Sequence, residues 1–182
     1  MKGLMIFTNG FEDVEGIAVI DILKRAKINL TCVTLNKTNE VITSHNNKIV
    51  FNESVSDIDY KKFDFLVLPG GPAVFKELDK SIIVDEIVKY FCQNEKLVCA
   101  ICAAPHLIGK HGFLADLEYT CFPNCNEQIV NGILIDKPVV HSKNIITARS
   151  MYYACDFALE IVSTIKGNDK AVEVAKQIKG IE

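Results

Sequence analysis

The sequence predicts an α/β fold built on a largely parallel sheet, and three observations carry that prediction. Short apolar runs of strand length alternate with amphipathic segments, the signature of repeated strand–helix–strand units. One such run, residues 65–68, is apolar throughout and stops at Pro69-Gly70-Gly71-Pro72, as a strand buried on both faces does on entering a glycine turn. Another, residues 97–101, stops at Cys102, and small residues then open what reads as a helix. That puts a cysteine at a sharp strand-to-helix turn.

Taken in order, residues 4–7 read as the first strand and 12–25 as a helix, with acids in its first turn and Lys24-Arg25 at its end. Residues 30–35 read as the second strand. Residues 41–54 mix apolar and turn-forming types and read as a short β-excursion. After the strand at 65–68, residues 81–92 carry Ile83, Ile87, Tyr90 and Phe91 at helical spacing, with Ser81 as a cap. The strand at 97–101 and a helix reaching about Lys110 come next. Residues 133–135, 139–140 and 145–148 read as later strands, and 152–165 and 170–178 as closing helices. Neither repeat, low-complexity stretch nor linker interrupts the pattern, so residues 1–182 read as one domain.

Composition narrows the function. With 49% apolar and 24% charged residues the chain is ordinary for a globular protein, and 182 residues suffice to bury a core. A net charge of -3, with no basic cluster longer than Lys61-Lys62, argues against nucleic acid. The apolar runs are strand-length and residues 1–7 are too short for a secretory signal core, so neither a membrane nor export is expected, and the cytoplasm is. Seven cysteines, an odd number, fit small core hydrophobes better than a disulfide framework.

In open α/β sheets, ligands bind beyond the carboxyl ends of the strands. Asn9-Gly10 with the helix bearing Glu15, the Gly70-Gly71 turn and Cys102 all fall there. Orphan N–H groups and a helix dipole next to Cys102 are expected to lower its thiol pKa and make it a nucleophile. For Glu15 two readings stand: an acid solvating a helix N-terminus, or a carboxyl on the apolar face of Val19 and Ile22, kept protonated so that it donates to a thiolate. Gly71 and Ala103 are expected to offer backbone N–H groups to an oxyanion near the sulfur, or else only to make a turn and start a helix.

Three other patterns weigh less. Cys99 and Cys102 have the spacing of a redox pair, but Cys99 sits within an apolar strand. With Cys121 and Cys125 they mimic a zinc ribbon, yet Ala100-Ile101 is no polar knuckle turn, so no metal is expected. His106 shares a helix face with Cys102, but Pro105 and Leu107-Ile108 favour a packed or surface histidine over a base.

The segments Asn9-Gly10-Phe11-Glu12-Asp13-Val14-Glu15, Ile20 through Ala26, Leu68-Pro69-Gly70-Gly71-Pro72, Ala100-Ile101-Cys102-Ala103-Ala104-Pro105, Ile146 through Ser150 and Phe157 through Val162 resemble, in this order, the PfpI/DJ-1 superfamily. The resemblance spans essentially the full chain. It implies a flavodoxin-like three-layer α/β sandwich that forms a homodimer. It makes Cys102 the reactive, oxidisable cysteine and Glu15 the protonated carboxyl contacting it. Gly70, Gly71, Ala103 and Phe122 then form the oxyanion and substrate wall.

Activities implied are cofactor-free glyoxalase III chemistry on α-oxoaldehydes such as methylglyoxal, protein deglycation, and oxidative-stress sensing or chaperone work. Departures matter too. Protease-type members carry a histidine directly after the nucleophile where this chain has Ala103, so peptidase chemistry loses its base. Phe122 stands where the human-like branch has a histidine, which makes the pocket more apolar. A basic pocket residue of the family falls near His45 or Asn47, and Arg149-Ser150-Met151 replaces the common Arg-Gly-Pro.

Overall fold

The computed structural model describes residues 1–181. Strand β1 (Lys2–Phe7) leads into α1 (Asp13–Arg25) and β2 (Asn29–Thr34). A hairpin of β3 (Glu40–Ile42) and β4 (Lys48–Val50) follows, then the short β5 (Glu53–Ser54). Strand β6 (Phe65–Leu68) runs into one-turn α2 (Ala73–Lys76), then α3 (Ile82–Gln93), β7 (Leu97–Ile101) and α4 (Pro105–Gly109). Strands β8 (Glu118–Tyr119), β9 (Ile133–Leu134), β10 (Val139–Ser142) and β11 (Ile145–Ala148) precede α5 (Ala154–Lys166) and α6 (Asn168–Lys179).

Seven strands form one sheet in the order β10-β11-β7-β6-β1-β2-β5. Every pairing is parallel except that of edge strand β10 with β11. The chain leaves β1 towards β2 on one side and returns to β6 on the other, so the direction of winding reverses between β1 and β6. This is the flavodoxin-like order, with its ligand crevice at that reversal.

Alternation along the strands builds two cores. Met5 and Phe7 of β1, Val67 of β6 and Cys99 of β7 join the core beneath α1, α5 and α6. Leu4 and Ile6, Leu66 and Leu68, and Val98 and Ala100 join the core beneath α3 and α4. A period of two thus sends successive side chains to opposite layers, which makes three layers from one sheet. Helix α3 begins as expected, with Ser81 Oγ accepting from the Val84 N–H at 3.4 Å. The short elements α2 and β8 are not marked by periodicity, since two to four residues are too few to carry one, whereas β9 falls within the strand expected at 133–135.

The segment after Cys102 differs from expectation. Residues 102–104 form a turn, and α4 is only five residues long, beginning with Pro105. Pro105 suits a first helical position, where its missing N–H has no partner to lose. The consequence lies at the sulfur, which is three residues short of the helix and therefore receives little from its dipole.

Candidate active site

Five segments at the carboxyl end of the sheet converge on one pocket of about 360 Å³. Glu12 and Glu15 come from the start of α1, Gly71 and Phe75 from the β6 exit, Cys102 and Ala103 from the β7 exit, and Phe122 and Cys125 from the following loop; Ser150 and Met151 close it. Phe75, Phe122 and Met151 keep about two-fifths of their surface exposed and form an apolar rim.

Cys102 has a left-handed backbone, φ 64°, which is strained for a residue with a side chain. Its N–H donates to the Ala148 carbonyl at 2.8 Å and its carbonyl accepts from Phe122 N–H at 2.8 Å, so both neighbouring segments hold it in that conformation. The result is a sharp elbow with the sulfur at the pocket floor. Backbone N–H groups of Gly71 and Ala103 donate towards that sulfur.

Glu15 is fully buried. Its Oε2 accepts the Gly70 N–H at 2.9 Å. Its Oε1 is sealed from water with no hydrogen-bond donor of normal geometry, and the Cys102 thiol is the side-chain group that faces the carboxyl. A buried carboxyl short of a donor is stabilised by holding a proton. Burial accordingly pushes Glu15 up to about 7, helped by the nearby charge of Glu12 and opposed by the Cys102 thiol and the Gly70 N–H.

The expected lowering of the Cys102 pKa is not what the structure gives. Burial, then the charge and hydrogen bond of Glu15, push the thiol well above its ordinary value, against the pull of the Gly71 and Ala103 N–H groups. The two groups titrate as a pair. One proton leaves around neutral pH; removing the second would place two negative charges in one buried site. That first proton comes from Glu15, whose charge keeps the Cys102 thiol protonated, while the Gly71 and Ala103 N–H groups favour the alternative placement of the charge on sulfur.

Gly70 contributes by its smallness. A Cβ there would come within 2.5 Å of Glu15 Oε2, 2.7 Å of Cys102 Cβ and 2.8 Å of the Ile101 carbonyl oxygen. Sequence reasoning placed Gly70 with the groups that meet substrate; its N–H is instead committed to Glu15, which makes it a support for the carboxyl. Gly71, at φ 93°, lies so close to the α1 start that a Cβ would approach the Glu12 nitrogen to 2.5 Å.

The remaining candidates separate cleanly. His106 is buried, its Nε2 lies 2.8 Å from Asp79 Oδ1, and Phe75 packs on its ring at 4.8 Å between centroids. It is a packed histidine. Cys99 faces the α1 core while Cys121 and Cys125 join the α3 core, so the four cysteines do not converge on a metal. Cys125 lines the pocket and Cys121 is buried beside it.

His45 and Asn47 lie in the β3–β4 hairpin and bind Asp13, not the pocket. Glu12, Asp13 and His45 have ligand atoms within 4.8 Å of one another. The Asp13 oxygens there already accept from Thr43, Ser44, His45 and Asn47, and Glu12 Oε2 caps the Glu15 N–H at 2.8 Å. That leaves a poor cation site. Phe75, Ser150 and Met151 are pocket residues that the sequence does not mark as such; nothing local singles them out, because they reach the pocket only through the fold.

Comparison with known proteins agrees with this geometry. The family model described as DJ-1/PfpI matches residues 1–164. Protein dj-1beta of Drosophila melanogaster is 35% identical over 177 residues, covering 96% of this chain and 95% of its own. A Caenorhabditis elegans protein named glutathione-independent glyoxalase DJR-1.2 is 30% identical over 169 residues, covering 92% and 89%. The crystal structure of Drosophila DJ-1beta superposes with a TM-score of 0.91 at 34% identity, over 100% of both chains. No helix among the described residues is long and apolar enough to cross a membrane.

Proposed function

The chain belongs to the DJ-1/PfpI family, and from that premise we propose that it is a cysteine-dependent enzyme of glyoxalase III or deglycase type, needing no cofactor and acting on α-oxoaldehydes such as methylglyoxal. One observation carries the reading: a fully buried Glu15 carboxyl, held near pH 7 and short of a donor, against a cysteine in a strained elbow. The relative named as a glyoxalase supports the substrate class.

The chemistry closes without a redox partner. The Cys102 thiolate adds to the aldehyde carbon, and Glu15 gives its proton to the oxygen, forming a hemithioacetal. The Glu15 carboxylate then takes the C–H proton from that carbon and returns it to the neighbouring one through an enediol, which leaves a thioester. Water hydrolyses the thioester to the 2-hydroxy acid and frees the thiol. Gly71 and Ala103 N–H groups stabilise negative charge at the sulfur and at the oxygen that replaces it. The apolar rim of Phe75, Phe122 and Met151 accepts the alkyl end of the aldehyde.

Purified protein should convert methylglyoxal to lactate, and Cys102→Ser and Glu15→Gln should not. A Cys102→Ala variant as fast as wild type would overturn the mechanism. A second reading has its own support in the pocket: Phe122 removes a base that carbonyl chemistry could use, while the same N–H groups suit an oxidised sulfur. In it, peroxide converts Cys102 to the sulfinic acid and the protein reports oxidative stress or acts as a chaperone. Intact mass after mild peroxide distinguishes the two.

The proposal includes a homodimer in the cytoplasm. Val14 and Ile17 expose about two-fifths of their surface on α1 and offer an apolar face for a second copy. Light scattering on the purified chain measures that directly.

A further inference from the structure

Cys125 is a second thiol in the pocket, and the proposed reaction leaves it unused. It lines the same cavity as Cys102. Two consecutive backbone hydrogen bonds tie the residues together: Phe122 N–H donates to the Cys102 carbonyl at 2.8 Å, and Cys125 N–H donates to the Phe122 carbonyl at 3.1 Å. Both cysteines pack against the same apolar cluster. The other cysteines are placed differently. Cys99 faces the opposite side of the sheet, and Cys121 is held in the core with its side chain almost wholly covered.

The two residues are held differently. Cys102 is locked by its elbow and by hydrogen bonds on both sides, so it cannot travel. Cys125 is only partly buried and sits in the stretch 120–132, outside any helix or strand. A disulfide needs its two Cα atoms within about 7 Å, and the Phe122 N–H bond to the Cys102 carbonyl holds the loop that carries Cys125 beside Cys102. Burial first, then the charge of Glu127 and last that of Glu15, raise the Cys125 thiol's pKa, so Glu15 bears on both thiols.

We propose that Cys125 is the resolving cysteine for Cys102, so that a hydroperoxide drives the pair to an intramolecular disulfide instead of to the sulfinic acid. The Cys102 thiolate attacks the terminal peroxide oxygen, the O–O bond breaks, and the leaving oxygen takes the Glu15 proton. Sulfur is oxidised to the sulfenic acid; peroxide is reduced to water, or to an alcohol from an organic peroxide. The Cys125 thiol passes its proton to the Glu15 carboxylate and attacks the Cys102 sulfur. The S–O bond breaks, and hydroxide leaves as water with that same proton. A thiol reductant restores both cysteines. This rests on the reading of Cys102 as a thiolate beside protonated Glu15, and adds a reversible fate to it.

The test uses the reduced full-length protein, equimolar hydrogen peroxide, alkylation of free thiols, and non-reducing digestion with tandem mass spectrometry. Dimedone traps sulfenic acid in parallel. The expected result is a Cys102–Cys125 linked peptide from monomer, lost on reduction, with little sulfinic acid. In Cys125→Ala and in Cys125→Ser, which keeps the size, dimedone adduct and Cys102 sulfinic acid should rise several-fold. Cys102 sulfinic acid forming as fast in wild type as in both variants, without the link, overturns the inference and leaves the thiolate reading intact. A link to Cys121 overturns the assignment of partner. Cys102 inert to peroxide, dimedone and alkylation while exposed Cys155 reacts overturns both readings.

Discussion

Asp13 and Glu15 are two residues apart in the first turn of one helix, and their carboxyl groups live in opposite worlds. Asp13 accepts from Thr43 Oγ1 at 2.6 Å, Asn47 Nδ2 at 2.7 Å, His45 Nδ1 at 2.9 Å and Ser44 Oγ at 3.0 Å. Burial alone would raise its pKa; those donors outweigh it and hold the carboxyl well below the usual range. Glu15 is more deeply buried and accepts one backbone N–H. The first acid is a clamp, fixing the β3–β4 hairpin over the α1 start. The second is left with a proton to give. Donor count against burial, more than position along the helix, decides which acid is structural and which is chemical.

The comparison breaks most visibly at Glu15 itself. Glu15→Gln keeps the shape and removes the proton transfer, and should lower lactate formation by about 10²–10⁴-fold. An equal rate in Asp13→Asn and Glu15→Gln would erase the distinction.

Stability should move the other way. The folded pKa of Glu15, about 7, lies above its ordinary 4.5, so folding is favoured while the carboxyl is protonated. Ionisation begins to cost stability above pH 4.5 and reaches its full cost past pH 7, on the order of 3 kcal/mol. Denaturant unfolding should therefore show Glu15→Gln more stable than wild type at pH 8 and level with it at pH 4.

Gly70→Ala sharpens the contrast by disturbing only the chemical acid. The added methyl meets Cys102 Cβ and the Ile101 carbonyl, neither of which can move away, and should cost about 1–3 kcal/mol. Its activity loss should exceed what the stability loss explains.

Asp13→Ala should cost about 1–2 kcal/mol by stranding the buried Thr43 hydroxyl. Because the folded pKa of Asp13 is depressed, its contribution is complete above the ordinary aspartate value and fades as pH falls through the folded one. The deficit of the variant, read by thermal melting, should shrink in acid.

His45→Ala is the smallest change, at an exposed side chain whose pKa is raised by Asp13. Its effect is present below the ordinary histidine value and lost as pH rises through the folded one. A melting difference that grew with pH would contradict the pairing.

Much of this was legible in the residues. Strand-length apolar runs placed the carboxyl ends of β1, β6 and β7 side by side, and with them Glu15, Gly71 and Cys102. For Glu15 the sequence left two readings open, a solvated helix-start acid or a carboxyl on the face of Val19 and Ile22, and the structure buries it. The direction of the Cys102 pKa was not legible, because it depends on how short α4 is and on how completely water is excluded. The Asp13 clamp was hidden for another reason: its donors arrive from about thirty residues away, on a hairpin whose docking no local period records. Cys125 and Cys121 look alike in sequence, and only the turn between them decides which one sees the pocket.

The hydrogen bond from Phe122 to the Cys102 carbonyl has a bearing on how such a site can diversify. It hangs the Phe122 wall of the cavity from the peptide of Cys102, so wall and sulfur share one frame of reference. A change of side chain at position 122 alters what fits without shifting where bonds are made, since the bond to carbonyl 102 uses backbone atoms that every residue except proline supplies. Substrate range can drift at that position while reaction geometry stays fixed.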